Sequence, residues 1–203
     1  MRNGLRVKTL ACLLFLSLGA VSLAAAEEVI GKNPGEFKGR WLKVYDREAL
    51  GTFDVVAIGE TVTDIAWKKA SNEAPLQERE LDAQLREQLF RRLDKSGLYS
   101  RVLAETRSSL EDDYLRIDCT LDVEPGSRML RYAAGGGAGK SRSVLECEFI
   151  DNSDGRVLAM YHGYGSGTGM GFKIGGGGAA KMTKDDNQEN AAKLAELLKR
   201  VLK

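Results

Sequence analysis

Histidine is almost absent from this 203-residue chain: His162 is the only one. Any Ser-His-Asp or Cys-His nucleophile would depend wholly on that residue. It ends an apolar run and is followed by glycines, a setting for packing or surface exposure. Cysteine is nearly as scarce, with Cys12 near the N-terminus and only Cys119 and Cys147 after it. There is no C-x-x-C and no second histidine beside either, which argues against a zinc site. The acidic pairs Asp112-Asp113 and Asp185-Asp186 match no calcium-loop spacing. They are expected on loops or helix starts, where carboxylates serve the helix dipole. No metal and no cofactor is expected. Past the N-terminal leader no apolar stretch is long enough to span a bilayer as a helix.

The leader is MRNGLRVKTLACLLFLSLGAVSLAAA. Arg2, Arg6 and Lys8 precede an apolar stretch from Leu10 to Leu23, and Ala24-Ala25-Ala26 closes it with small residues. This pattern predicts a secretory signal peptide over residues 1–26, cut between Ala26 and Glu27. Leu10-Ala11-Cys12 resembles a lipobox fragment, but a lipobox cysteine follows its apolar stretch and Cys12 precedes this one. Without the leader's three cations, 27 basic residues face 29 acidic ones, a net charge of −2. That balance gives no reason to expect a nucleic-acid partner.

Residues 27–52 form an entry segment with no clear period, and residues 53–203 suit a single domain. Phe53–Gly59 (FDVVAIG) is a strand candidate. Leu81, Leu85, Leu89 or Phe90, and Leu93 recur at helical spacing after Pro75, and Gly97 stops that helix with Leu98 placed to pack back. Tyr99–Glu105 is a second strand. Tyr114–Val123 (YLRIDCTLDV) alternates, with Leu115, Ile117, Cys119, Leu121 and Val123 on one face. Ser143–Ile150 and Arg156–Tyr161 follow as strands around the turn at 151–155. Ala191, Leu194, Leu197, Leu198 and Val201 form the apolar stripe of a closing helix from about Asp185. The fold class is α+β: a two-layer sandwich with a mixed, mostly antiparallel sheet of about five strands and two helices on one face. The first strand–helix–strand unit should give a parallel pair.

Cys119 and Cys147 fall on the same inward face of neighbouring hairpin strands. If they oppose each other, Leu121 faces Leu145 and Ile117 faces Phe149. Opposed positions lie within disulfide reach. Two buried free thiols explain the pair equally well.

Two glycine-rich segments remain, 133–140 and 163–178. The first reads AAGGGAGKS through Ser141 and fits a relaxed phosphate-loop pattern. A phosphate loop opens a helix whose N-terminus completes the anion site. Here Arg142–Phe149 alternates like a strand, the strict motif's first glycine is Ala134, and no magnesium-binding aspartate follows an apolar strand. These features reject a nucleotide hydrolase. The second segment has nine glycines in sixteen residues. From Gly163 to Gly171 they alternate with other residues, the pattern of either a loop or a flat strand whose glycine face admits close packing.

Strand direction brings both segments to one end of the sheet, with the start of the last helix. Arg128, Arg131, Lys140 and Arg142, then Lys173, Lys181 and Lys184, lie there with no acid between Pro125 and Arg142 or between Gly163 and Lys184. They are candidates for holding an anionic partner, namely an envelope protein, a lipid headgroup or a cell-wall polymer. Solvated loop charges are the plain alternative.

Glu124-Pro125-Gly126-Ser127-Arg128, Leu130-Arg131-Tyr132 and Gly135–Lys140 together resemble the central motif of a bacterial family, domain-of-unknown-function family 4410. The likeness spans about Phe53 to Leu202. It implies an exported envelope protein, often a lipoprotein, with no established activity; this chain departs in lacking a lipobox. The expectation is a periplasmic protein, free or peripheral to the outer membrane, acting as a non-enzymatic interaction or assembly module. The alternative is an enzyme or ligand-binding protein using the basic glycine-rich end as its site.

Overall fold

The computed structural model describes residues 27–31, 39–66, 74–105, 113–124, 142–166 and 179–203. Seven strands form one sheet: β1 (Glu28–Gly31), β2 (Arg40–Val44), β3 (Val55–Ile65), β4 (Arg101–Leu103), β5 (Leu115–Glu124), β6 (Arg142–Asp151) and β7 (Val157–Ser166). Their spatial order is β1-β2-β7-β6-β5-β3-β4. The helices are α1 (Arg47–Leu50), α2 (Ala74–Ser96) and α3 (Ala179–Leu202). The architecture is α+β with a mixed sheet, mostly antiparallel, as the alternation predicts. The count differs, with seven strands and three helices among the described residues in place of about five and two.

The parallel pair expected from the strand–helix–strand unit is β3 with β4, and β3 also pairs in parallel with β5. Between them in sequence, α2 buries Leu81, Leu85, Leu89 and Leu93. Those leucines at intervals of four line one side of a helix, which is why this segment is helical and where it lies. Gly97 ends it with φ 62°, a left-handed conformation that glycine adopts without a Cβ penalty. Leu98 packs back on the core.

β5, β6 and β7 make the antiparallel centre. Cys119 pairs with Cys147, Leu121 with Leu145 and Ile117 with Phe149. This is the register the alternation implies. The two cysteines are joined in a disulfide, with Cα atoms 4.1 Å apart, so the free-thiol alternative falls. Bridging residues 28 apart in sequence restricts the unfolded chain by about 3–4 kcal/mol in the chain-entropy account.

The inward positions of the sheet and the apolar sides of α2 and α3 form one core. Tyr161, Phe149, Leu121 and Leu42 are fully buried in it. Leu194, Leu197, Leu198 and Val201 of α3 complete it. Among the described residues no helix is long and apolar enough to cross a membrane.

The entry segment, which has no clear period in sequence, carries two strands: β2 pairs with β7 and carries β1 at the sheet edge. Three sequence expectations need correcting. β3 is longer than Phe53–Gly59 and bends between Ile58 and Thr61, where its register to β5 shifts. β7 does not stop at Tyr161 but continues through Gly163 and Gly165 to Ser166. α3 begins at Ala179, so Asp185 and Asp186 lie well inside it and not at its first turn.

Candidate functional site: two faces of one sheet

The inward face near the end of β7 is polar, and the reason lies in the glycines. A Cβ on Gly163 would sit 2.7 Å from the Tyr161 hydroxyl and 2.8 Å from Asn190 Oδ1. One on Gly165 would collide with Ser143 Oγ and lie 2.7 Å from Asp186 Cγ. The alternating glycines, as far as Gly165, are thus the inner face of a strand over which α3 passes closely. This close packing is internal, between the strand and a helix of the same chain.

The contacts there are hydrogen bonds. Arg40 Nε donates to Asn190 Oδ1 at 2.8 Å, and its Nη1 donates to Glu189 at 2.6 Å. Ser143 Oγ donates to Asp186 at 3.2 Å, and the Tyr161 hydroxyl donates to the Asn190 carbonyl at 3.2 Å. Burial pushes the Asp186 carboxyl above its ordinary value, against the pull of Ser143 and Arg40. The bond from Arg40 holds Glu189 below its own. Asn187 is fully buried beside them with neither side-chain amide atom partnered.

Among the described residues the opposite, outward face carries no helix: α2 and α3 both pack on the inner core. Its β5 positions are Arg116, Asp118, Thr120, Asp122 and Glu124; the alternation of YLRIDCTLDV puts Tyr114 in the same set, but Tyr114 is buried. With Glu60 and Asp64 of β3 and Glu146 and Glu148 of β6, they form an acidic field. Two pairs of like charge stand directly opposite each other, Asp64 with Asp122 and Asp118 with Glu148. Such pairs oppose sheet formation. The Asp122 carboxyl is raised, by desolvation first and then by Asp64 and Glu146. Arg116 Nε binds Asp118 at 3.0 Å. The other oxygen of Asp118 accepts the Glu60 N–H at 2.9 Å, which pins the bend in β3. A shallow depression of about 160 Å³ opens between Glu60, Val62, Asp118, Glu146, Glu148 and Met160. Val62 is 45% exposed, a large apolar side chain in open view.

Beside this field the face is aromatic. The Trp41 indole stacks on the His162 ring, with centroids 5.2 Å apart and planes 12° from parallel. His162 Nδ1 meets Glu146 Oε1 at 3.1 Å. The lone histidine therefore has a packing role, and it borders the acidic field. Lys43 lies over the Tyr45 ring at 4.9 Å and pairs with Glu27 at 2.8 Å. Among the described residues no group of three or more His, Cys, Asp or Glu side chains converges as metal ligands would.

Arg128, Arg131, Lys140 and Lys173 lie outside the described residues, as do Ala26 with the leader, Asp112 and the AAGGGAGKS stretch. β6 starts at Arg142, so a strand does follow Lys140-Ser141. Arg142 is exposed and sits 3.9 Å from Glu124. Lys181 and Lys184 belong to the first two turns of α3. Glu124, Arg142 and Ser166 are register neighbours, so both glycine-rich segments do leave from one end of the sheet. The outward acidic field was missed as a site, although every residue of it stands at an alternating position that sequence could read.

No curated protein matches the chain in sequence. Among solved structures it is similar to the PelC dodecamer from Paraburkholderia phytofirmans, at 15% identity over 81% of this chain and 96% of that one, with a TM-score of 0.39. It is also similar to a DUF330-family protein from Xanthomonas campestris, at 12% identity, 72% and 84% coverage and a TM-score of 0.39. A third is a neuraminyllactose-binding hemagglutinin homolog from Helicobacter pylori, at 10% identity, 75% and 89% coverage and a TM-score of 0.39. These are distant likenesses and carry no chemistry over to this chain. The family model for a domain of unknown function, DUF4410, matches residues 47–171, from α1 through the end of β7 and beyond, and the chain belongs to that family.

Proposed function

We propose that this chain is an exported, non-enzymatic interaction module of the bacterial envelope that docks a partner on the outward face of its sheet. The observation that carries the reading is the unequal cover of the sheet. Both long helices pack on one side, while the other side exposes Val62 amid opposed like charges. A fold gains nothing from such pairs by itself, whereas a partner with cations and apolar contacts would relieve them.

Export is supported by the leader and by the Cys119–Cys147 disulfide, since structural disulfides persist in oxidising compartments. The periplasm, free or peripheral to the outer membrane, is the compartment proposed. The basic residues at the glycine-rich end remain a second candidate surface on sequence grounds.

The test places a photocrosslinking amino acid at Val62 and, as control, at Glu87, an exposed position of α2 paired with Arg91. In intact cells the Val62 probe is expected to give a discrete adduct and the Glu87 probe none. Equal or absent adducts at both positions would sink the docking reading. Cell fractionation of the same strain checks export.

A further inference from the structure

The side of α3 that faces the sheet changes character at Asn190. From Ala191 onward its inward positions are apolar: Ala191, Leu194, Leu197, Leu198 and Val201 are buried in the core. Just before them the inward positions are Asp186, Asn187 and Asn190, and both asparagines are fully buried. Asp185, Gln188 and Glu189, in between, are exposed. The stretch 185–190 thus contains no apolar side chain to bury.

Different forces hold the two halves. Burial of apolar surface holds the second. Across 185–190 the work falls to hydrogen bonds, and Arg40 of β2 supplies two of them, to Asn190 Oδ1 at 2.8 Å and to Glu189 at 2.6 Å. Ser143 of β6 and Tyr161 of β7 add one each at 3.2 Å. A hydrogen bond favours the closed form only about two- to tenfold, because water replaces it in the open form. Against them stand both side-chain amide atoms of Asn187 and Nδ2 of Asn190, buried without a partner among the described residues. Each such atom disfavours closing by roughly fivefold or more. The helix cannot settle deeper to relieve them, since Asn190 and Asp186 already lie where a Cβ on Gly163 or Gly165 would clash.

Asp186 makes this half sensitive to protons. Among the described residues its carboxyl faces Ser143 of β6 and Arg40 of β2, with Asp185 and Glu189 on α3 itself; Gly165 of β7 brings no charge. Burial, the largest influence, raises it above 3.8. Its contribution to closing is complete below 3.8 and lost as pH rises through the raised value. Glu189 runs the other way. The bond from Arg40 lowers it, so it favours closing above its ordinary 4.5 and ceases to as pH falls through the lowered value. Mild acid therefore favours the closed form, and neutral pH relaxes it.

We propose that the turns of α3 ending at Asn190 are a strap that opens from β6 and β7 as one unit while the helix from Ala191 stays docked, and that mild acid closes it. Arg40 is the catch. Opening lifts the helix from Ser143, Gly163 and Gly165 on the inward face, so the outward docking reading neither depends on it nor fails with it.

The experiment is hydrogen exchange resolved by NMR on the full chain, expressed with its leader and purified from cells, at about pH 7 and about pH 5, each rate referred to its intrinsic value at that pH. At the higher pH the amides of Asn187–Asn190 are expected to share one protection factor, about 100-fold or more below that of Leu197–Val201, and to respond little to dilute urea, as sub-global opening does. At the lower pH their protection should rise relative to the second half, by up to about tenfold for each unit by which the Asp186 carboxyl is raised. Asp186→Asn, uncharged throughout, should remove that rise. Arg40→Ala should lower protection at Asn187–Asn190 by about tenfold and leave Leu197–Val201 unchanged. Asn187→Leu removes two unpartnered atoms and should raise it by a similar factor; it carries the test if Arg40→Ala does not fold. Equal protection in the two halves overturns the proposal. So does a gradient falling residue by residue toward Ala179, which is ordinary fraying. An equal loss in both halves on Arg40→Ala, or an undiminished pH response in Asp186→Asn, overturns it as well.

Discussion

The two faces of this sheet are made from the same strands and obey opposite rules. Along β5, Leu115, Ile117, Cys119, Leu121 and Val123 point to the helices, while Arg116, Asp118, Thr120 and Asp122 point away. The inward set gains from burial at roughly 25 cal/mol per Å² of apolar surface. The outward set gains nothing comparable and includes charges placed where they repel. Stability therefore resides on one face, and the other is free to serve a partner. The end of β7 breaks the pattern usefully: there the inward face turns polar, with Gly163 and Gly165 thinned so that α3 can approach.

The sharpest way to test that division is a matched pair of truncations one residue apart. Leu121→Ala on the inward face should lower unfolding free energy by about 2–5 kcal/mol. Thr120→Ala beside it should change it by no more than about 0.5 kcal/mol. Urea denaturation reads both, and equal losses would erase the distinction between the faces. Reducing the Cys119–Cys147 bond removes an inward-face link, with an expected loss of about 3–4 kcal/mol, seen as a lower denaturation midpoint with dithiothreitol. An unchanged midpoint, with thiol counting confirming reduction, would deny the bond a role in stability.

Gly165→Ala tests the polar exception. Its new methyl would meet Ser143 Oγ and the Asp186 side chain, and a cost of about 1–3 kcal/mol is expected. A neutral result would mean that α3 can shift freely on the strand. The smallest effect belongs to the outward face. The Asp122 carboxyl is raised above its ordinary value of 3.8, so the folded state binds that proton more readily than the unfolded state. The favourable contribution is full below 3.8 and lost as pH rises through the raised value. Asp122→Asn should flatten that slope and stabilise the protein near neutral pH by about 0.2–1 kcal/mol. A steeper slope in the variant would contradict the repulsion from Asp64 and Glu146.

Much of the centre was legible because alternation and helical spacing are strong local signals. The shared inward face of Cys119 and Cys147 followed from them, with the register that holds if the two oppose each other, as did the leucine side of α2. The edges were not legible for particular reasons. β2 reads RWLKV, and its inward positions begin with Arg40, a charge that makes sense only once Glu189 and Asn190 of α3 lie opposite. The second half of β3 puts Thr61 and Thr63 inward, where they meet Arg86 and Asp82 of α2. The glycines of β7 read as a loop because glycine carries no side chain from which burial can be inferred. Their period of two was the available signal. As for function, the basic cluster singled out from sequence lies largely outside the described residues, and the acidic face emerged only when β3, β5 and β6 were aligned.

By itself, then, the sequence determined the α+β class, the antiparallel centre with the inward face of its strands, and the family. Each rests on periodicity or on a run of neighbouring residues. Tertiary structure alone decided that the cysteines are bonded, that β2 joins β7, and that Gly163 and Gly165 seat a helix. It also decided that carboxylates from three strands share the face that no described helix covers. These are relations between residues far apart in the chain. Local spacing carries no information about which distant groups will meet; that is settled by strand order and by which face the helices cover.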